Sequence, residues 1–323
     1  MLRRTMFASL LAACVSALAT SAAAQTYPDK FIKMVVPFTP GGPVDVMARL
    51  LCQQLSVALG QNVIVDNRPG AGGTLGAKSV AGAEPDGYTL LFGTGGSLGI
   101  SPVLYKHAGY DPVTSFAAVA MVSNSPNVLG VRPQVPAHTI RELVAYAKAN
   151  PGKLSYGAVQ GTPPHLMTEL FKAETGSDIL FVPYKGAAQA LTDLLAGQTD
   201  VTLLATVVML TPVQEGKLRP LAVTSAARLT EFPDVPTMKE VGFADFPPGS
   251  WQAVVAPAGT PPEIVAKLNG AINASLRSPE LTAGFARLRA EANIGTPQNL
   301  ADMIASENRK WSAVVKSLGL KVE

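Results

Sequence analysis

Two Gly-rich turns, each placed between an apolar strand and a helix, constrain the fold of this chain most strongly. The first turn, residues 39–45 (TPGGPVD), follows the apolar stretch 34–38, and the second, residues 67–74 (NRPGAGGT), follows the stretch 63–66. A strand, a Gly-rich turn and a helix start bring backbone N–H groups and the positive end of a helix dipole to one place. This arrangement predicts a site for a small anion that needs no catalytic side chain.

Strands and helices alternate from residue 31 onward. The hydrophobic pattern predicts strands over 31–37, 62–66 and 88–93, separated by helices over 44–59 and 74–83. Alternation of this kind implies parallel strands with crossover helices, and therefore an α/β fold.

The N-terminus has the pattern of an export signal. Arginines at positions 3 and 4 precede a mostly apolar stretch, and three alanines offer a cleavage site after Ala24. Residues 11–14 (LAAC) also match a lipobox, which would leave Cys14 as a lipidated first residue. Few apolar residues precede Cys14 and the apolar stretch continues beyond it, so a cleaved, unanchored periplasmic protein is favoured.

Composition narrows the possible functions of the remaining chain. Loss of the signal removes two arginines, so the net charge of +3 becomes about +1, and without a basic block nucleic acid is not an expected partner. The one remaining cysteine, Cys52, lies in a helical pattern and is predicted to be a buried structural thiol. The three histidines are scattered without metal-ligand spacing, so neither a metal nor a cofactor is expected.

The length allows two lobes, each with its own core. A second unit begins near Asn124, and a polar, Pro-rich stretch over 231–250 precedes a C-terminal tail that is predicted to pack back on the first unit. We therefore expect lobe one to comprise 25–124 plus 246–323, and lobe two 125–245, with a ligand cleft between them.

Ligands of α/β sheets bind beside the carboxyl ends of the strands, where four turns of this chain are expected to lie. The candidate ligand-binding residues in these turns are Thr39, Pro40, Gly41, Gly42, Asp45, Thr94, Gly95, Ser97, Gly157, Gln160, Gly161, Thr162, His165, Tyr184 and Lys185.

Several of these residues have two interpretations. Thr162, followed by Pro163, is typical of a helix N-terminus and either caps the helix alone or also helps it to bind a carboxylate. Asp45 either stabilises its own helix start or accepts a hydrogen bond from an amino or hydroxyl group of the ligand. Lys185 is either solvated or a carboxylate partner, and Tyr184 is either a half-buried aromatic or a cleft wall.

Two motifs suggest enzymes and are disfavoured. Residues 95–99 (GGSLG) match a nucleophile elbow, but a hydrolase using Ser97 needs a helix immediately afterwards and a later histidine. Pro102 is expected to interrupt that helix. Because no histidine lies beyond His165, an acid–His pair would have to come from the narrow stretch between Ser97 and His165. Residues 70–76 are spaced like a dinucleotide fingerprint, but Pro69 separates them from the strand and the expected acidic residue is missing. The sequence therefore predicts that this protein is not an enzyme.

The chain resembles the Bug-type substrate-binding proteins, the periplasmic receptors of tripartite tricarboxylate transporters. The resemblance covers essentially the whole chain after the signal. It is carried, in this order, by the two Gly-rich turns and by segments 27–33, 105–113, 150–156, 182–186, 216–225, 233–237 and 256–261.

The resemblance implies a two-lobed Venus-flytrap fold, similar to that of the type II periplasmic binding proteins. It also implies a small carboxylate or related metabolite, held largely by backbone groups and ordered water from the turns named above. Such a receptor is expected to act as a monomer and to deliver its ligand to a permease with one large and one small membrane subunit. Presentation of the ligand to a membrane kinase is the alternative.

The chain departs from the family pattern at three places. Pro163 and Pro164 stand where relatives usually carry a small or hydroxyl residue, Val44 replaces the usual Thr or Ser, and residues 95–99 lack the common polar pattern. Because the pocket offers fewer hydroxyls, we expect a ligand less polar than citrate, namely an aromatic or aliphatic monocarboxylate.

Overall fold

The computed structural model describes residues 27–105, 107–160, 162–184, 187–288, 290–317 and 319–320. The predicted signal segment 1–24, its cleavage site and Cys14 lie outside the described residues. Strands of the described chain are β1 Ile32–Val36, β2 Val63–Asn67, β3 Thr89–Thr94, β4 Phe116–Ser125, β5 Asn127–Val131, β6 Leu154–Val159, β7 Ile179–Tyr184, β8 Val201–Ala205, β9 Arg219–Val223, β10 Ser250–Pro257 and β11 Glu291–Ala292.

Helices flank these strands. The helices of the described chain are α1 Pro43–Leu59, α2 Thr74–Ala81, α3 Ser101–Leu104, α4 Ile140–Ala149, α5 Pro163–Thr175, α6 Ala187–Leu195, α7 Thr206–Gln214, α8 Pro262–Ser275, α9 Pro279–Arg287 and α10 Pro297–Ser317. A single 3₁₀ turn, Ala71–Gly73, precedes α2, and a π-helical turn, Gly96–Ile100, precedes α3.

The strands form two separate sheets. The first has the order β11-β4-β10-β3-β1-β2, and the second has the order β7-β6-β8-β5-β9. In the first sheet β1 runs parallel to β2 and β3, whereas β10 runs antiparallel to both β3 and β4. In the second, β6 is parallel to β7 and β8, and β5 is antiparallel to β8 and β9.

The predicted α/β class and two-lobed fold are confirmed, but the expectation of parallel strands holds only in part. Strand β4 continues into β5 with only Pro126 between them, so no helix intervenes at this point and the chain passes directly from one sheet to the other. Strand β10 then returns antiparallel to β4 and occupies an inner position of the first sheet. The sequence predicted no strand at the positions of β4, β5 and β11, and no helix at the positions of α3 and α7.

Sheet membership bears on how the chain is divided between the lobes. The first sheet takes strands from 32–125 and 250–292, and the second takes strands from 127–223. The lobe limits proposed from the sequence, 25–124 plus 246–323 and 125–245, stay a prediction. We call the body built on the first sheet lobe one and the body built on the second sheet lobe two.

Helix α1 shows how local sequence positions the core. It begins at Pro43, whose missing N–H is not needed in a first helical turn, and ends at Gly60, which adopts the left-handed conformation with φ of 68°. Its buried face includes Leu51, Leu55 and Cys52. Cys52 is a buried structural thiol, as predicted, and burial raises its pKa to about 12.

Among the described residues, no helix combines the length and the apolar character that crossing a bilayer requires.

Candidate functional site

A cleft of about 250 Å³ lies between the two lobes, and residues of both lobes line it. Its described lining residues are Phe38, Val44, Gly72, Thr94, Gly95, Gly96, Ile100, Ser101, Thr162, Pro163, Met167, Gly249, Ser250, Trp251, Gln252, Glu307 and Trp311. The wall is mainly apolar, with polar groups concentrated at helix and strand ends.

Helix α5 points its N-terminus at the cleft. Thr162 is the N-cap with an extended backbone, and Pro163 opens a helix of 13 residues. Both residues line the cleft. The first turn of such a helix offers N–H groups that have no partner within the helix, and the dipole favours negative charge there. This end of the cleft is therefore suited to a carboxylate.

The turn after β3 forms the facing wall. Thr94 and Gly95 line the cleft as predicted, together with Gly96. A Cβ atom on Gly95 would lie 2.8 Å from Nε1 of Trp251, so only glycine lets this indole approach the turn. Close packing of Trp251 against the turn fixes the position of its backbone.

Ser97 has a structural position rather than one in the cleft. Its side chain is fully buried, and its Oγ accepts a hydrogen bond from the Thr94 N–H at 3.0 Å and donates one to the Thr94 carbonyl at 3.3 Å. The expectation that Pro102 interrupts a helix here is wrong. The turn Gly96–Ile100 runs directly into α3, because proline in a first helical turn costs no hydrogen bond. A helix therefore follows the motif, but the Ser97 hydroxyl is occupied by the backbone.

Asp45 holds the first Gly-rich turn together. One carboxylate oxygen accepts hydrogen bonds from the Gly41 N–H and Arg49 Nε, both at 2.9 Å, and the other accepts one from Asn67 Nδ2 at 2.8 Å. Burial alone would raise the pKa of this carboxyl, but the hydrogen bonds from Arg49, Gly41 and Asn67 outweigh it and bring the pKa to about 2. This geometry favours the stabilising interpretation of Asp45 over contact with a ligand.

Substitution Asp45→Asn is expected to lower the free energy of unfolding by about 1–3 kcal/mol, because it replaces a buried carboxylate that accepts three hydrogen bonds with a neutral amide. The native pKa lies below the ordinary value, so the contribution of Asp45 is complete above about pH 4 and is lost as the pH falls toward 2. Urea unfolding at several pH values measures it. The matched control Asp66→Asn removes an exposed ion pair with Arg68 and should cost less than about 0.5 kcal/mol. Equal losses would contradict the assigned role.

The rest of the first turn is more open than predicted. Thr39, Pro40 and Gly41 are exposed and Gly42 is half-buried. None of the four is among the cleft-lining residues; their neighbours Phe38 and Val44 are. Contact of these four residues with a ligand stays a prediction.

The lobe-two candidates divide into different environments. Gly157 lines a second cavity instead of the cleft, and Gln160 is exposed in a turn. Gly161 and Lys185 lie outside the described residues. Tyr184 is half-buried and donates a hydrogen bond from its hydroxyl to an Asp193 carboxylate oxygen at 2.8 Å.

His165 is buried in an aromatic cluster of lobe two. Its ring centroid lies 4.2 Å from that of Phe181 and 6.4 Å from that of Tyr156. Burial lowers the pKa of the imidazole, so the neutral form is favoured. His165 is not among the residues that line the cleft, which favours a packing role over ligand contact.

The sequence interpretation missed the wall formed by β10 and α10. Both tryptophans of the chain, Trp251 and Trp311, line the cleft, and Trp311 Nε1 donates a hydrogen bond to Glu307 Oε2 at 2.7 Å. Glu307 is only 6% exposed and is the one charged side chain among the described lining residues. The i,i+4 spacing of Glu307 and Trp311 places both side chains on one face of α10, and this was the sequence signal that could have indicated the pair.

In the described part of the chain, no three His, Cys, Asp or Glu side chains are grouped closely enough to hold a metal ion.

Two α/β lobes joined at β4–β5 and before β10, with a cleft that both lobes line, define a two-lobed solute-binding protein. A family model described as the tripartite tricarboxylate transporter family receptor, TctC, matches residues 47–320. The chain therefore belongs to this receptor family, and the predicted resemblance to the Bug-type proteins is confirmed.

Individual relatives agree with this assignment. Protein BugT of Bordetella pertussis is 39% identical over 308 residues, which cover 95% of this chain and 94% of BugT. A solved R. palustris protein with adipate is 38% identical, with a TM-score of 0.73, covering 91% of this chain and 99% of that one. MatC from Rhodopseudomonas palustris, solved with bound malate, is 33% identical, with a TM-score of 0.71. The match covers 90% of this chain and 100% of MatC. The relatives are solute-binding receptors rather than enzymes.

Proposed function

We propose that this protein is a periplasmic receptor that captures a small carboxylate in the cleft between its lobes and delivers it to a permease with one large and one small membrane subunit. The observation that carries the proposal is the N-terminus of α5, which faces a mainly apolar cleft through Thr162 and Pro163. The adipate and malate in the two R. palustris structures support a carboxylate as the ligand class. The family's name supports the permease partner.

The proposed mechanism is closure of the two lobes on the ligand. The carboxylate would accept hydrogen bonds from the first turn of α5 and from the turn after β3, while Phe38, Val44 and Met167 would contact the rest of the molecule. Closure brings the walls of both lobes onto the ligand, and the closed shape is what a permease can recognise. Export by cleavage after Ala24 is part of the proposal.

The first experiment is a thermal-shift and calorimetry screen with adipate, malate, succinate and phenylacetate. A ligand at a hundred times its dissociation constant should stabilise the fold by about 2.7 kcal/mol. Saturable binding of at least one carboxylate is expected. No binding of any of the four, together with binding of a ligand that has no acidic group, would contradict the carboxylate class.

Helix α1 offers a matched pair of substitutions that locates the binding site. Val44 lines the cleft, whereas Val46 lies two residues further along the same helix, is exposed and is not among the lining residues. Val44→Phe is expected to weaken carboxylate binding by about tenfold or more, because the larger ring occupies ligand space. Val46→Phe should leave the affinity unchanged. Calorimetry on both variants checks this, and equal effects would place the ligand elsewhere.

A further inference from the structure

A second cavity, of about 160 Å³, lies inside lobe two next to the cleft. Ala190, Leu191 and Leu194 of α6 and Val201 and Leu204 of β8 contribute apolar side chains to its wall. We call this cavity the chamber. An apolar cavity of about this size holds a benzene ring, so the chamber has room for about six non-hydrogen atoms.

The first turn of α5 forms the partition between the chamber and the cleft. Thr162 lines both cavities, whereas Pro163 lines the cleft and Pro164 lines the chamber. A molecule whose carboxylate lies at the N-terminus of α5 therefore has the chamber within reach of its other end. The prolines at positions 163 and 164 make this partition apolar.

The chamber also contains one polar group that lacks a partner. Thr199 lines it and is only 1% exposed, and among the described residues its Oγ1 has no hydrogen-bond partner. A buried hydroxyl without a partner is unfavourable, and native proteins leave few of them. A hydroxyl, amino or carbonyl group on a ligand would supply the missing hydrogen bond.

Tyr184 contacts two of the elements that form the wall of the chamber, α6 and β6. The Tyr184 hydroxyl is hydrogen-bonded to Asp193 of α6, and the Tyr184 ring lies over Gly157, where a Cβ atom would be 2.5 Å from Cε2. These contacts tie α6 to the end of β7 and to β6. The same contacts hold α6 next to β6, and both elements line the chamber.

We propose that the chamber is an apolar subsite of the ligand site, which receives the ring or short chain of a monocarboxylate carrying one polar substituent at its far end. This inference rests on the proposed function of the cleft, because the cleft holds the carboxylate. An apolar chamber beside the carboxylate site explains why a ligand less polar than citrate is expected.

The test compares ligands that differ only in whether they can fill the chamber. Calorimetry is done with phenylacetate, 4-hydroxyphenylacetate and succinate on the unchanged protein and on Ala190→Leu, which fills the chamber from α6. The substitution is expected to weaken binding of the two aromatic acids by about tenfold or more and to leave succinate within about twofold. Ala196, exposed just beyond the same helix, offers the matched control. Ala196→Leu should change neither the affinity for the aromatic acids nor that for succinate.

Thr199→Val provides a second variant that keeps the volume of the side chain. It should remove the preference for 4-hydroxyphenylacetate over phenylacetate while leaving succinate binding unchanged. An unchanged aromatic affinity in Ala190→Leu, or binding of succinate without either aromatic acid, would overturn the subsite and leave the proposed function standing.

A probe without an acidic group separates the two proposals further. Fluorobenzene has no group for the carboxylate site, and ¹⁹F NMR on the unchanged protein and on Ala190→Leu distinguishes binding in the chamber from binding in the apolar cleft. Saturable binding to the unchanged protein that is lost in Ala190→Leu supports the subsite even if no carboxylate binds. Absence of binding, or binding that persists in Ala190→Leu, overturns it.

Discussion

Replacing Gly249 with alanine is expected to lower the free energy of unfolding by about 2–4 kcal/mol. Gly249 lies in the segment that returns the chain from lobe two to lobe one, and its φ of 113° is one that residues with a side chain rarely adopt. A Cβ atom there would lie 2.5 Å from the Ser125 carbonyl oxygen and 3.0 Å from Cα of Pro126. Both are backbone atoms of the other strand that crosses between the lobes, so neither can move aside cheaply.

Gly242→Ala is the matched control. Gly242 has a similar φ of 104°, is exposed, and has nothing within 4 Å of the position of an added Cβ. It therefore carries the backbone strain without the collision and should lose only about 1 kcal/mol. Urea unfolding followed by tryptophan fluorescence measures both variants. Similar losses in the two would show that contact between the crossing segments is not what requires glycine at position 249.

The second large effect is expected at Glu307. Burial raises the pKa of this carboxyl, and the hydrogen bond from the Trp311 indole, the nearby Trp251 indole and the charge of Lys310 only partly oppose the rise. Since the native pKa is higher than the ordinary 4.5, folding favours the protonated form. The contribution of Glu307 to stability is therefore complete below about pH 4.5 and is lost as the pH rises through the native pKa.

Substitution Glu307→Gln should consequently stabilise the protein near pH 8 relative to the unchanged chain, and the two should converge near pH 4. It should also raise the affinity for carboxylates near pH 8 by about tenfold or more, because the substitution removes the repulsion between the Glu307 carboxylate and a bound carboxylate in the same cleft. In the unchanged protein, carboxylate affinity should fall with rising pH, and the substitution should remove this dependence.

Calorimetry at two pH values, with thermal unfolding alongside, checks both expectations. Glu84→Gln removes the same charge in an exposed loop of lobe one, at a residue that is not among those lining the cleft, and should change neither quantity. Weaker carboxylate binding in Glu307→Gln at both pH values would mean that this side chain bonds the ligand directly. In that case the cleft would prefer ligands with an ammonium or hydroxyl group opposite Glu307.

Elements with local start and stop signals could be predicted from the sequence. Helix α5 begins where Thr162 and Pro163 predict a helix N-terminus, and it ends before Gly176, which has a φ of 62°. Helix α7 was missed because Pro212 lies inside it and disrupts the expected pattern. Strands β4 and β5 were missed because they run on across the lobe boundary without a turn signal of the usual kind.

The cleft was harder to predict than the fold. Thr94, Gly95 and Thr162 line it because each stands next to the end of a strand or the start of a helix, which local sequence reveals. Trp251 and Glu307 come to the same cavity from segments that lie far along the chain, and only the pairing of β10 with β3 and β4 brings them there. His165 has a residue type typical of sites, but its burial beside Phe181 depends on tertiary packing.

The position of β10 has a consequence for how the chain reaches its native state. This strand lies between β3 and β4 in the first sheet, yet in the sequence it comes after every strand of the second sheet. The second sheet, in contrast, is assembled from one continuous stretch, 127–223, so its contacts can form as soon as that stretch is available. The body that begins the chain can therefore be completed only once residues 250–257 are available, and until then the edges of β3 and β4 that β10 will cover are unpaired.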